Sequence, residues 1–304
     1  MVFKLDPVRF RPFLQLLDAF VACGFVLGSV LITPFLPKTS SHTCSDLPSL
    51  GIKDDEEARL MWPFLIVGIS HAAAALSMLL HACGGLTMPV YCQDKEQVTD
   101  TMDTNKFHIN HYRIVMVLAF VFYIFSCGME ALFQSQCYTV GHCGPLKLIP
   151  SVASELQTSY FLCFMVGRFC AVVISNYVQP SVIIMVSVIV TLLGIILILS
   201  VGSWSVGGLF AGVSIVGFSL SFQFASGFSW LAEIVDMTGR NSSIVFLGAS
   251  MGFLVSPPIA GVLEESAGVM ALFYLMLGYV ILQGTVFYAL IAMTRRRLEQ
   301  TEET

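Results

Sequence analysis

Charge is what this chain has least of. Only 12% of its 304 residues are Asp, Glu, Lys or Arg, against 56% hydrophobic, whereas an ordinary soluble domain carries about 25% charged residues. That scarcity excludes a solvated globular surface. With a mean hydropathy of +0.81 it puts the chain in the membrane class. Basic residues number 15 and acidic residues 20, for a net charge of -5, so there is no basic footprint for nucleic acid. The sequence contains no glycine-rich nucleotide loop, no metal-ligand cluster and no nucleophile–base arrangement. It therefore offers neither an enzyme's chemistry nor a resident cofactor. No DRY triplet ends a third helix and no NPxxY ends the last, which argues against a receptor.

Long hydrophobic runs fill the space that charge leaves. Crossing a bilayer takes roughly 20 mainly apolar residues as a helix. Eight stretches qualify, at about 13–36, 61–83, 113–136, 156–178, 181–202, 206–234, 243–263 and 269–293. Backbone groups in lipid must be satisfied within the segment, so each is predicted to be helical. The expected fold class is an all-α, polytopic membrane protein with eight transmembrane helices.

Orientation follows from the basic residues. With both termini cytoplasmic, the inner side receives Lys4, Arg9, Arg11, Lys95, Lys106, Arg113, Arg240, Arg295, Arg296 and Arg297, and the outer side Lys38, Lys53, Arg59 and Lys147. Both outer loops, 37–60 and 137–155, contain cysteine. Cys44, Cys137 and Cys143 would meet an oxidising compartment, where pairing of Cys137 with Cys143 and three free thiols are both open. The sequon at Asn241 falls on the cytoplasmic side and should stay unmodified. The first stretch has a basic start like a signal peptide, but its apolar run is too long and contains Pro34. Its cleavage would leave the seven helices of a receptor.

The first and seventh stretches share a frame. GFVLGSVLITP places Gly24, Gly28 and Pro34; GASMGFLVSPP places Gly248, Gly252 and Pro258. Glycines four apart make a flat face for close helix approach, and Pro257–Pro258 is read as a kink. A repeat six helices apart suggests a transporter of two related halves. The polar run 84–112 would link them. The expected organisation is 1–83 as a remnant of an N-terminal half with two helices, 84–112 as a cytoplasmic linker, 113–294 as a C-terminal six-helix bundle, and 295–304 as a cytoplasmic tail.

These residues resemble the major facilitator superfamily, whose fifth and eleventh helices carry a Gly-rich run ending in Pro. YIFSCGMEALFQSQCYTVG (123–141) resembles the seventh helix of its fucose/glucose symporter branch, and TSYFLCFMVGRFCAVVIS (158–175) the eighth. The match is to sodium-dependent glucose transporter-like proteins, over helices five to twelve only. The resemblance implies a partial major facilitator fold in the plasma membrane. It also implies alternating-access transport of a hexose such as glucose, coupled to sodium or a proton. The loop SNYVQPS departs from the pattern: it is uncharged where the superfamily usually places acid and base.

An ionisable residue inside a membrane helix is a functional candidate by default. Glu130 and Gln134 are four apart and share a helical face. They suit sugar hydroxyls, and the carboxylate suits a coupling proton or cation; packing against a neighbouring helix is the alternative. Arg168, near the middle of its helix, binds substrate, holds an acidic gate residue or fixes two helices, with Glu130 and Glu233 as candidate partners. Gln223 and Trp230 share a face with Ser226 between them, as amide and aromatic contacts for a sugar or as part of a packing stripe. Gly227 would let this helix bend. Glu233 and Arg240 flank the helix end and resemble an inner-gate acid and base of sugar porters. Asp18 is read as facing the interface and His71 as structural. The expected partners are a small-molecule sugar and the lipid bilayer. The rival reading is a truncated, non-transporting membrane protein or a receptor-like helical bundle.

Overall fold

The structure, a computed structural model, describes residues 7–32 and 105–302 together with scattered positions between 61 and 80. The longer helices among the described residues are α1 (Pro7–Ile32), α2 (Asn105–Cys143), α3 (Pro150–Ile174), α4 (Pro180–Leu197), α5 (Val206–Leu220), α6 (Gln223–Ile234), α7 (Gly239–Ala267) and α8 (Ala271–Glu302). No strand is present among the described residues. The expected linker and most of the second apolar stretch lie outside the described residues, and its described positions, such as Trp62 and Ile69, are helical and exposed.

Local sequence sets the helix starts. Pro150 and Pro180 occupy the first turns of α3 and α4, where the missing N–H costs nothing. Ser205 and Thr238 cap α5 and α7 by accepting from Gly208 N and Asn241 N. Gly268, at φ 83°, ends α7. Among the described residues six spans are long and apolar enough to cross a membrane: Tyr112–Cys143, Pro150–Ile174, Pro180–Gly202, Val206–Ile234, Gly239–Ala267 and Ala271–Thr294. In α1, Asp18–Leu31 forms a shorter apolar helix. The chain is a multi-pass membrane protein, as its hydropathy predicts.

The predicted sixth helix differs from a continuous rod. Its regular pattern is interrupted at Ser221–Phe222, between α5 and α6, by a tight turn whose residues keep right-handed helical dihedrals, so the span continues without unwinding. The hinge is not Gly227, whose added Cβ would lie 2.8 Å from the Tyr123 hydroxyl; that glycine serves close packing. At the break, Ser219 and Ser221 hydroxyls donate back to the carbonyls of Val216 and Phe218 at 3.0 and 2.6 Å. Such back-bonding competes with the helix ladder and bends it. Both break residues are buried, which is the setting in which a membrane tolerates irregular backbone. The α7 helix, in contrast, runs on through Pro257 and Pro258.

The most extensive packing joins α2 to α7, followed by α1 on α3 and α3 on α5. The glycine frame explains the first contact. A Cβ on Gly248 would fall 2.7 Å from Phe120 O, and one on Gly252 2.5 Å from Ile124 O. Gly24 and Gly28 meet no described atom within 4 Å; α1 buries Ala19 and Ala22 instead. Cys137 is a free, buried thiol while Cys143 is disulfide-bonded, so those two do not pair.

Two apolar clusters stack along the helices. One takes Val115, Phe122 and Tyr123 of α2, Phe228 and Trp230 of α6, and Phe287 of α8. The other takes Met129, Leu132 and Phe133 of α2, Tyr160 and Phe164 of α3, and Met276 and Tyr279 of α8. Polar side chains collect where one cluster gives way to the other: Ser126 and Glu130 on α2, Thr191 on α4, Gln223 and Ser226 on α6, and Gln283 on α8. The α5–α6 break falls at the same level.

Candidate functional site

The polar layer has a charged part and a neutral part. Arg168 of α3 anchors the charged part and is 4% exposed. One guanidinium nitrogen, Nη1, forms an ion pair with Asp18 Oδ2 of α1. The other, Nη2, lies 3.9 Å from Glu130 Oε2 of α2. The Phe164 ring, one turn back on α3, sits with its centroid 4.8 Å from the guanidinium carbon, a cation–π distance. Gln134 donates to Glu130 Oε1 at 2.9 Å, and Gln157 of α3 donates to the Gln134 carbonyl at 3.0 Å. Three helices thus share one cation and two carboxylates in a low-dielectric layer. A lone buried charge there would be prohibitive, so the groups hold one another in place.

The neutral part is an amide and hydroxyl network. Gln223 Oε1 accepts from Gln283 Nε2 at 2.7 Å and from Ser126 Oγ at 3.1 Å. Gln223 Nε2 donates to Thr191 Oγ1 at 3.4 Å, and Thr191 shares a 2.8 Å hydrogen bond with Ser219. Gln15 of α1 donates to Ser226 Oγ at 3.0 Å. The Oε1 atoms of Gln15 and Gln283, the Nε of Arg168 and the Oγ of Ser229 are buried without a partner among the described residues. Buried polar atoms are normally satisfied.

The structure brings together Glu130, Gln134 and Arg168, as their helical positions suggest. It resolves the question of Arg168's partner in favour of Asp18 and Glu130. Glu233 is exposed at the far end of α6 and does not pair with Arg168. Asp18, read from sequence as an interface residue, is the main counter-charge. Gln223 lies in the amide network. Trp230, two turns on, does not: it is packed edge-on against Phe287, with centroids 5.3 Å apart, inside the apolar cluster. Arg240 is exposed at the start of α7. Sequence reasoning passed over Gln15, Ser126, Thr191 and Gln283. The signal for the glutamines was present, since each interrupts an apolar run (FLQLL and VILQG).

No family model matches the chain. It is 23% identical over 302 residues to the mouse sodium-dependent glucose transporter 1A, covering 91% of this chain and 68% of that protein. It is 29% identical over 136 residues to the zebrafish sodium-dependent glucose transporter 1, covering 45% and 23%. With the human major facilitator superfamily domain-containing protein 4A it shares 20% identity, over 84% of this chain and 63% of that one. Among solved structures, the major facilitator superfamily transporter FucP in its outward conformation superposes with a TM-score of 0.58 at 18% identity, covering 97% of this chain and 70% of FucP. A bundle of membrane-length helices with an interrupted helix and a buried polar layer at mid-height, superposing on FucP, has the major facilitator fold. The chain is thus similar in sequence to sodium-dependent glucose transporter 1 proteins and in fold to FucP.

Proposed function

We propose that this protein is a secondary transporter of a hexose, with glucose as the first candidate, working by alternating access in the plasma membrane with both termini cytoplasmic. The proposal divides the chain as the sequence suggests: 113–294 forms one six-helix bundle, residues 1–83 contribute helices of the opposing half, and 84–112 link them. The observation that carries it is the buried layer in which Asp18 of α1 meets Arg168 and Glu130 of the bundle beside the amide network. Transporters of this kind place substrate and coupling ion near the midplane. The interruption between α5 and α6 and the amide oxygens without a partner among the described residues are consistent with that placement.

In this reading Gln223, Gln283 and Gln15 hold the sugar hydroxyls, with Gln134 at the edge of the site. Glu130 carries the coupling charge, sodium or a proton, and exchanges it for the Arg168 guanidinium as the halves rock. The Arg168–Asp18 pair bridges α1 and the bundle, so opening must break or remake it, which makes it a gate. Glu233 and Arg240 stand at the helix ends, where an inner gate closes. Trp230 supports the layer from below by packing.

Purified protein in proteoliposomes tests this. Labelled glucose should accumulate when an inward sodium gradient or a pH gradient is imposed, and the gradient that drives it names the ion. Absence of accumulation under both gradients, together with no glucose binding by folded protein, would overturn the reading.

A further inference from the structure

Away from the polar layer, α2 and α7 start their membrane spans together. Tyr112 donates its hydroxyl hydrogen to Asn241 Oδ1, and Asn241 Nδ2 donates to the Asp236 carbonyl at 2.6 Å. Asn241 is buried, so this bond pins the two helix starts. Beside it opens a groove of about 310 Å³, lined chiefly by Arg113, Met116, Val117 and Phe120 of α2 and Arg240 and Ile244 of α7. The arginines are exposed and stand within two residues of the first residue of the spans Tyr112–Cys143 and Gly239–Ala267. They therefore lie at the level where headgroups meet hydrocarbon. The remaining wall is apolar, and Val117 is 61% exposed, as a side chain facing lipid tails would be.

Charge makes this groove specific. Arg113 and Arg240 both line the groove, and neither is seen in an ion pair with another described residue. A planar guanidinium with several donors is matched to phosphate oxygens. Basic pockets between membrane helices are a recognised setting for anionic headgroups. A free phosphate would be served by the two arginines alone and has no use for the Met, Val, Phe and Ile wall. A phospholipid uses both parts.

We propose that the groove between the starts of α2 and α7 binds an anionic phospholipid. Its phosphate sits against Arg113 and Arg240 and one acyl chain runs along Met116, Val117, Phe120 and Ile244. Because the lipid bridges the two helices that pack most extensively, its binding fastens the start of that pair. The site shares Arg240 with the proposed inner gate and is otherwise separate from the sugar-binding residues.

Native mass spectrometry of the purified full chain in detergent reads it directly. Titration with phosphatidylserine should yield a retained one-lipid complex more readily than phosphatidylcholine does. The double variant Arg113→Gln/Arg240→Gln should lose about thirty-fold in phosphatidylserine affinity, from about a factor of five for each arginine near an anionic surface. Arg113→Lys/Arg240→Lys should keep most of it. Val117→Trp, which leaves both charges and fills the groove, should also weaken binding and covers the case in which the glutamine variant does not fold. Inorganic phosphate should not displace the lipid. Equal binding of the two lipids, an unchanged preference in the folded glutamine variant or in Val117→Trp, or displacement by inorganic phosphate would each overturn the proposal.

Discussion

Arg168 shows how a single side chain organises its surroundings. It carries the sole cation of the polar layer among the described residues and faces two carboxylates, Asp18 and Glu130. Removing one member of a buried pair leaves an uncompensated charge, which costs about 3–5 kcal/mol. Asp18→Asn leaves Arg168 balanced by Glu130, so it should lower stability by about 1.5–3 kcal/mol, the loss of one charge-assisted contact. Asp18→Asn/Arg168→Gln should cost less than the two single changes summed. Chemical unfolding in detergent checks this, and strict additivity would show the pair is not coupled. In the neutral part, Gln283→Leu leaves Gln223 Oε1 with Ser126 as its donor. It should cost about 1 kcal/mol in the same assay and weaken glucose binding roughly tenfold by calorimetry. Unchanged sugar affinity would remove Gln283 from the site.

Much of this was legible residue by residue, because charge and amide are conspicuous in an apolar helix. Glu130, Gln134, Arg168 and Gln223 stand out on that ground alone, and all four lie in the polar layer. Which acid meets Arg168 was not legible. Asp18 is 150 residues away in sequence, and only the packing of α1 on α3 brings it near. Trp230 shares a helical face with Gln223, but two turns of rise carry it into the apolar cluster.

At the scale of the element, hydropathy located the spans well. It could not show the break in the sixth one, because Ser219 and Ser221 are mild in hydropathy and act through hydrogen bonds back to their own helix. The glycine frame was legible as a motif but does different work in its two copies. Gly248 and Gly252 seat α7 on α2, whereas Gly24 and Gly28 meet no described neighbour. Gly252→Val should thus force the helices apart and cost about 1–3 kcal/mol. Gly24→Ala should be neutral or slightly stabilising, as Ala in place of Gly favours a helix. Thermal unfolding in detergent compares them, and equal effects at both positions would contradict the assigned contact.

At the scale of the molecule, composition announced a membrane protein and the repeat announced a two-half transporter. The fold is the one seen in FucP. The chain spans about two-thirds of the mouse relative's length, and the proposed site depends on α1 as much as on the bundle. The account therefore rests on coupling: sugar held by neutral amides, driving charge carried by Glu130 against Arg168. The most direct test pairs two assays on the same proteoliposomes, gradient-driven accumulation of labelled glucose and gradient-free counterflow, for the wild type and Glu130→Gln. The account predicts both activities in the wild type, and in Glu130→Gln counterflow retained within a few-fold with accumulation lost. Accumulation undiminished in Glu130→Gln, or neither activity in a folded wild type, would contradict it.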